Sequence, residues 1–309
     1  MYIIGENLHI ISSQVKAAVR DRDAGFLQNL AQAQVEHGAS MLDLNIGPQK
    51  KRGHEIMPWL IDVVHEAVPG TPLSLDTTNA RAIEAGLQRC QELGIEAMIN
   101  STTADPARIA LAMPLAAKYD ARLVALTLGK TGMPVTADAR VELAMQLIAA
   151  ADEYGIPYDH LYLDPLVLTV KGTQEHAPET LNAVRMFKML IDPPPMSTVG
   201  LSNISNQVPH EQRSLINRTF LVMLMAAGLD TAIADPLDEA QNEFIRIVEE
   251  RDDATGVGRL LLALYDSVAA MEPFDPAAVD MGDPDQVAIY KTVQVLENQI
   301  IFADSYLRI

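Results

Sequence analysis

The chain has 309 residues, 49% of them hydrophobic and 21% charged, a balance that fits a folded globular protein and excludes a disordered one. Asp plus Glu number 41 against 23 Lys plus Arg, and the formal charge of −18 repels a phosphate backbone, which argues against nucleic acid as a partner. The one cysteine, Cys90, rules out a disulfide framework and a cysteine-based zinc or iron–sulfur site, and no apolar run nears the roughly 20 residues that span a bilayer.

Met1-Tyr2-Ile3-Ile4-Gly5-Glu6 has no basic leader pattern and reads as a first strand, so a cytoplasmic protein is expected. Strand-like apolar runs follow one another at 2–5, 41–44, 73–75, 97–99, 122–126, 161–163, 198–201 and 231–234, each succeeded by a helical pattern. Asp105-Pro106 and Asp235-Pro236 each place a capping carboxylate before a proline suited to the first helical position, and Thr136 is placed to cap a helix carrying Val141, Leu143, Leu147 and Ile148. Eight strand–helix units predict an α/β fold, a (β/α)8 TIM barrel over residues 1–250. A doubly wound sheet is the rival, but the first strand runs into Glu6-Asn7-Leu8-His9 without the glycine-rich turn of that fold. Past residue 250, Asp252, Asp253 and Gly256, then Pro273, Pro276, Gly282 and Pro284 break the chain repeatedly, marking 251–309 as a C-terminal helical extension. Asp283-Pro284 opens its last helix, whose stripe of Ile289, Val293, Leu296 and Ile300 suits either packing on the chain's own barrel or a subunit or partner contact.

In a barrel of this kind, chemistry sits at the C-terminal ends of the strands. Those ends carry Glu6-Asn7, Asp43-Leu44-Asn45, Asp76, Asn100, Asp164, Ser202-Asn203 and Asp235, with no Lys or Arg at any of them. Aspartate accepts hydrogen bonds from a paired N–H edge, and asparagine both donates and accepts. The set matches a flat heterocycle with amidine and lactam edges, such as a pterin or a purine. It does not match a phosphorylated sugar, whose barrels place glycine-rich loops after strands seven and eight. An Asp between strand and helix is also a plain cap, and Asp235 before Pro236 reads that way. Thr77, Thr78 and Asn79 can relieve Asp76 of capping, and Asp164 precedes Pro165 and a polar loop rather than an immediate helix. Gly129-Lys130-Thr131 fails as a phosphate-binding loop because its leading glycine would fall at Val124. The 7 histidines include no His-x-x-x-His, so no zinc ligand set is expected.

The stretch Gly200-Leu201-Ser202-Asn203-Ile204-Ser205-Asn206, followed by Leu215-Ile216-Asn217-Arg218-Thr219-Phe220-Leu221-Val222-Met223, resembles the methyltetrahydrofolate:corrinoid protein methyltransferases. Leu161-Tyr162-Leu163-Asp164-Pro165-Leu166, Ser74-Leu75-Asp76-Thr77, Asp43-Leu44-Asn45 and Ala97-Met98-Ile99-Asn100-Ser101 are similar to the same family. The resemblance implies a pterin-binding barrel related to dihydropteroate synthase. In it Asp76, Asn100 and Asp164 hold the pterin ring, with Asp43 and Asn45 beside them. Asn203 lies near the methyl-bearing N5, and Asn206 and Arg213 lie nearby. It further implies 5-methyltetrahydrofolate or tetrahydrofolate as substrate, a corrinoid (cobalamin) protein as partner, a homodimer, and no metal on this chain. Glu6-Asn7-Leu8-His9 departs from the family's Glu-Arg-x-Asn, so no role passes to Asn7. The direction of methyl flow stays open. Two other readings stand beside this one: a dihydropteroate synthase-like enzyme, and a pterin-binding protein without catalysis. The former is disfavoured because Ser202-Asn203 has no Lys or Arg beside it to receive pyrophosphate.

Overall fold

The structure, a computed structural model, describes residues 1–130 and 132–308. Of the rejected Gly129-Lys130-Thr131 motif, Thr131 lies outside the described residues. The apolar runs form the strands β1 (Tyr2–Gly5), β2 (Met41–Asn45), β3 (Leu73–Asp76), β4 (Ala97–Thr103), β5 (Arg122–Leu126), β6 (Leu161–Asp164), β7 (Met196–Ser197) and β8 (Thr231–Ala234). They pair in the order β7-β6-β5-β4-β3-β2-β1-β8, and every pairing is parallel. Gly200 bridges Ile233, and Ile233 N donates to Val199 O at 2.8 Å, so the two ends of the sheet meet in a nearly closed barrel.

Parallel neighbours need long crossovers, and helices supply them. Helices α1 (Ser13–Asp21) and α2 (Ala24–Glu36) follow β1, α3 (Gly53–Ala67) follows β2, α4 (Ala80–Leu93) follows β3, and α5 (Pro106–Tyr119) follows β4. Helix α6 (Ala137–Tyr154) follows β5, α7 (Val170–Thr173) and α8 (His176–Phe187) follow β6, and α9 (His210–Ala226) follows β7. Helix α10 (Glu239–Glu250) follows β8, and α11 (Gly256–Ala270) and α12 (Pro284–Leu296) complete the chain's helices.

Several starts lie where the capping residues placed them. Asp105 accepts from Ala107 N at 2.9 Å, Thr136 from Ala139 N at 3.2 Å, and Asp283 from Asp285 N at 2.9 Å. Asp235 is a correction. It caps no helix: α10 begins at Glu239, and Asp238 caps it by accepting from Gln241 N at 3.1 Å. Residues 235–238 close a turn first, through Asp238 N to Asp235 O at 3.3 Å, which delays the helix. Strand seven is the second correction. The expected 198–201 strand is instead a two-residue β7 at Met196–Ser197, with a 3-10 turn over Leu201–Ser205. Pro193, Pro194 and Pro195 have no N–H to give a ladder, and the chain then transfers from β6 (Thr198 N to Leu163 O, 3.0 Å) to β8 within three residues.

Ile4, Met41, Met98, Val124 and Tyr162 fill the barrel interior, and the helices bury a larger apolar shell outside it. Cys90 is buried in that shell, and burial pushes its thiol up to about 12, so it is inert. The stripe on α12 is spent within the chain: Ile289, Val293 and Leu296 are at most 3% exposed and share one core with Phe220 and Leu224 of α9 and Leu261 and Leu264 of α11. Ile300 lies beyond the end of the helix and is half-buried against the same core. The alternative of a subunit contact for this stripe is therefore overturned, since the chain's own helices already cover it. Leu296→Ala should lower the unfolding free energy by about 2–5 kcal/mol in a urea titration. A loss under about 0.5 kcal/mol, the level of a surface site, would contradict the buried placement.

Candidate active site

A cleft of about 820 Å³ opens at the C-terminal ends of the strands. All eight residues singled out in the sequence line it: Asp43, Asn45, Asp76, Asn100, Asp164, Asn203, Asn206 and Arg213. Register explains the first four. Asn45 pairs with Asp76, and Asp76 with Asn100, so the three stand in one row across β2, β3 and β4. Asp43 sits two residues before Asn45 and therefore on the same strand face.

These side chains hold one another. Asp43 accepts from Ser74 Oγ at 2.6 Å and from Asn100 Nδ2 at 3.1 Å. Asn45 Nδ2 donates to Asp76 Oδ2, while Asn45 Oδ1 accepts from Gly47 N at 3.0 Å. Asn79 caps α4 through Arg81 N at 3.1 Å, and Thr77 donates to Gly47 O at 2.6 Å, so Asp76 is free of capping duty. Across the cleft, Asp164 accepts from Leu166 N at 2.7 Å. Leu166 has φ of 70°, a left-handed conformation costly for a residue with a Cβ. Its carbonyl accepts from Thr180 Oγ1 at 3.0 Å, so hydrogen bonds hold it on both sides.

Asn203 comes from the 3-10 turn after β7, and its Oδ1 accepts from Asn206 Nδ2 at 3.1 Å. Gly200 makes room for it: a Cβ there would stand 2.9 Å from Asn203 Nδ2. Arg213 reaches the cleft from the first turn of α9, with Nε donating to Val208 O at 2.7 Å. It carries the one guanidinium, and no lysine joins it, among the described residues that line the cleft. Carboxyls dominate the lining: Glu6, Asp43, Asp76, Asp164, Asp235 and Asp238.

Burial without a paired cation raises four of them, Glu6, Asp43, Asp76 and Asp164. Desolvation lifts Asp164 to about 7 against the opposing bond from Leu166 and the charge of Arg140. Desolvation likewise lifts Glu6 to about 7, although Ser202 Oγ donates to it at 3.0 Å. Asp43 is raised by burial, and Asp76 by burial and then by the negative charge of Asp43. A ligand that donates hydrogen bonds to these carboxyls would favour their ionised forms.

The effect on stability has a definite sign. Between the unfolded value of 3.8 and the folded value of about 7, folded Asp164 keeps a proton that the unfolded chain has released. Its contribution is complete below the lower value and is lost as pH rises through the upper one. The free protein should therefore melt at progressively lower temperature as pH rises from about 5 to about 7.5. Asp164→Asn, which cannot ionise, should flatten that slope. An identical slope in the variant would remove Asp164 from the titration.

Several other residues line the cleft to which the sequence alone gives no role. Glu6 and Ser202 stand at strand ends, and that position is the one signal that could have promoted them. Asp235, read as a cap, instead accepts from Asn7 Nδ2 at 2.9 Å and from Leu237 N at 2.9 Å at the cleft wall. Asn217 lines the cleft from α9 with a buried Oδ1 that has no partner. Arg140 carries no local signal. It is a fully buried cation on α6, donating to Thr180 Oγ1 at 2.7 Å and to Leu166 O at 3.4 Å behind Asp164, and desolvation lowers it to about 10.

A family model described as pterin binding enzyme matches residues 12–235. A methylcorrinoid:tetrahydrofolate methyltransferase from Eubacterium limosum is 32% identical over 238 residues, covering 76% of this chain and 85% of that protein. A methionine synthase from Mycobacterium tuberculosis is 32% identical over 243 residues, which cover 75% of this chain and only 20% of that much longer protein. Dihydropteroate synthases from Thermus thermophilus and Xanthomonas albilineans superimpose with TM-scores of 0.56 and 0.57 at 18% identity. The former covers 81% of this chain and 93% of its own, the latter 82% and 93%, and the likeness speaks for the fold. With the family model spanning most of the barrel and a relative this similar along nearly its whole length, the chain belongs to the pterin-binding enzyme family.

Proposed function

We propose that this protein moves a methyl group between N5 of tetrahydrofolate and the cobalt of a corrinoid carried by a partner protein. One observation supports the reading above others: the row of Asp43, Asn45, Asp76 and Asn100 faces one cleft together with Asp164 and the Asn203–Asn206 amide pair. The acids and amides suit the donor-rich amidine edge and the lactam of a pterin. Asn203, with its Oδ1 satisfied by Asn206, has its amide N–H groups available for N5.

The chemistry asked of the chain is limited. A tertiary amine leaves poorly: N5 keeps the electron pair of the breaking C–N bond and takes a proton from solvent, while the methyl passes to cobalt(I), and a hydrogen bond that strengthens as charge builds on N5 eases the departure. In the reverse direction the same donor must release the N5 lone pair for attack. The corrinoid supplies the metal centre that accepts or gives the methyl. The barrel orients the methyl toward it and keeps the pterin from turning. The Eubacterium limosum relative is named in the direction of methylcorrinoid to tetrahydrofolate, and that direction is included in the proposal.

A dihydropteroate synthase-like reaction is less well supported. Arg213 is the one fixed cation among the described lining residues, and its Nε is engaged with Val208 O. Homodimer formation rests on the resemblance alone, because the α12 stripe is buried within the chain. The deciding experiment mixes the protein with methyltetrahydrofolate and cob(I)alamin, or with methylcobalamin and tetrahydrofolate, and follows the cobalt spectrum. Interconversion of the two cobalt spectra is expected. Pterin binding with no spectral change in either direction would leave a non-catalytic binder.

A further inference from the structure

Beyond α12 the chain turns back to the C-terminal face of the barrel and runs along the loop after β6. Gln174, 8% exposed, gives its whole side chain to this segment. Its Nε2 donates to Asn298 Oδ1 at 2.9 Å and to Ile300 O at 2.7 Å, and its Oε1 accepts from Phe302 N at 2.6 Å. Gln212, in the first turn of α9 and 6% exposed, donates to Asp304 O at 2.6 Å. The end of the segment is anchored by buried Tyr306, whose hydroxyl shares a hydrogen bond with Thr292 Oγ1 at 2.9 Å and whose ring lies 5.5 Å from Phe302. Lys171 pairs with Asp304 at 3.0 Å in a partly exposed bridge, which adds little by itself.

The opposite side of the same β6 loop grips the cleft. Thr169 Oγ1 donates to Asn206 O at 2.6 Å and accepts from Lys171 N at 3.1 Å, and Thr173 Oγ1 donates to Thr169 O at 2.6 Å. Asn206 in turn donates to Asn203 Oδ1. Arg213 is the neighbour of Gln212 on α9. Two sets of hydrogen bonds, joined by the backbone of residues 169–174, therefore connect the C-terminal segment to the amide pair. The row Asp43, Asn45, Asp76 and Asn100 is held differently, by bonds among β2, β3 and β4 and the turn after β2.

We propose that residues 297–306 are a strap that positions Asn203, Asn206 and Arg213, with Gln174 as its principal positioning residue. Loss of the strap loosens one wall of the cleft and leaves the other intact. In the reaction proposed above, on which the kinetic arm of the test rests, that wall carries the donor to N5. The strap thus acts on the chemical step more than on capture of the pterin.

Gln174→Leu removes all three bonds at nearly constant volume, and Gln212→Leu removes the second anchor. Ile301→Ser is the control, since Ile301 lies in the strap but is 87% exposed. Hydrogen exchange by mass spectrometry should accelerate across 199–214 in both glutamine variants, with β2, β3 and β4 unchanged and Ile301→Ser like the parent. Methyl transfer should slow by about 10-fold at saturating pterin, as small misplacement of a reacting group does, while tetrahydrofolate affinity is unchanged. Normal exchange across 199–214 in a folded Gln174→Leu protein would overturn the strap, and so would exchange accelerated throughout the barrel. If Gln174→Leu does not fold, Gln212→Leu decides by the same two readouts. A parent protein that transfers no methyl defeats the proposed function, whereas the exchange pattern still judges the strap.

Discussion

Asn203→Ala is expected to slow methyl transfer by about 10²-fold or more, the loss typical of one donor aimed at developing charge. The argument starts from the amide's orientation. Asn206 Nδ2 occupies Asn203 Oδ1, which leaves the Asn203 N–H groups as the free donors, and Gly200 clears the space beside Nδ2. A hydrogen bond to N5 strengthens as the nitrogen takes the electron pair of the breaking C–N bond and negative charge builds on it. Such an interaction lowers the barrier without holding the ground state. Tetrahydrofolate affinity should therefore change far less than the rate. Stopped-flow absorbance of the cobalt and a pterin titration separate the two quantities. Unchanged turnover would take Asn203 out of the mechanism. Equal losses in rate and affinity would make it a ring holder instead.

Asp76→Ala and Asp164→Ala are expected to weaken pterin binding by about 10²-fold or more, since truncating one partner of a buried, charge-assisted hydrogen bond costs about 2–5 kcal/mol. Both acids are raised by burial, Asp164 to about 7, so a donor-rich ligand that favours the carboxylates competes with their protons. Affinity should accordingly fall as pH drops through about 7, when Asp164 retains its proton and no longer accepts at both oxygens. This dependence is opposite in sign to the melting curve of the free protein, because ionisation favours the complex and burdens the empty fold. Asp164→Ala also deprives Leu166 N of its acceptor, so Asp164→Asn is the cleaner companion. Asparagine keeps one oxygen for Leu166 and presents an N–H where the ring presents its own. Calorimetry finding parental affinity in Asp76→Ala and Asp164→Asn alike would refute the assignment of the ring to these acids.

The strand-end acids and amides are legible in the sequence because of one geometric fact. In a parallel barrel, every strand ends on the same face, so residues far apart in sequence but equivalent in their units must share one mouth. Asp43, Asn45, Asp76, Asn100 and Asp164 need only the strand boundaries to be grouped, and those boundaries follow from short apolar runs closed by polar residues. The caps at Asp105, Thr136 and Asp283 are legible for a similar reason, since a cap is a bond between residues two or three apart.

Other features depend on partners distant in the chain. Asp235 has the same Asp-Pro signature as Asp105, yet Asn7, far away in sequence, engages it and a turn intervenes before the helix. The seam between β7 and β8 is closed by the Gly200 bridge and by the bonds that Ser197 makes with Asp230 and Thr231, which no periodicity announces. Arg140 looks like any helical arginine until α8 and the Leu166 loop close over it.

From its amino-acid order alone the chain determined eight strand–helix units, the mouth they share and the hydrogen-bonding character of that mouth, because these arise from contacts within a unit and from the common direction of the strands. Only the folded chain decided what the α12 stripe covers, how Asp164 and Leu166 are braced, and where the C-terminal segment returns to grip Gln174. Those depend on which surfaces meet once the barrel has closed, and the energy of a contact between distant residues leaves no periodic mark on either stretch of sequence.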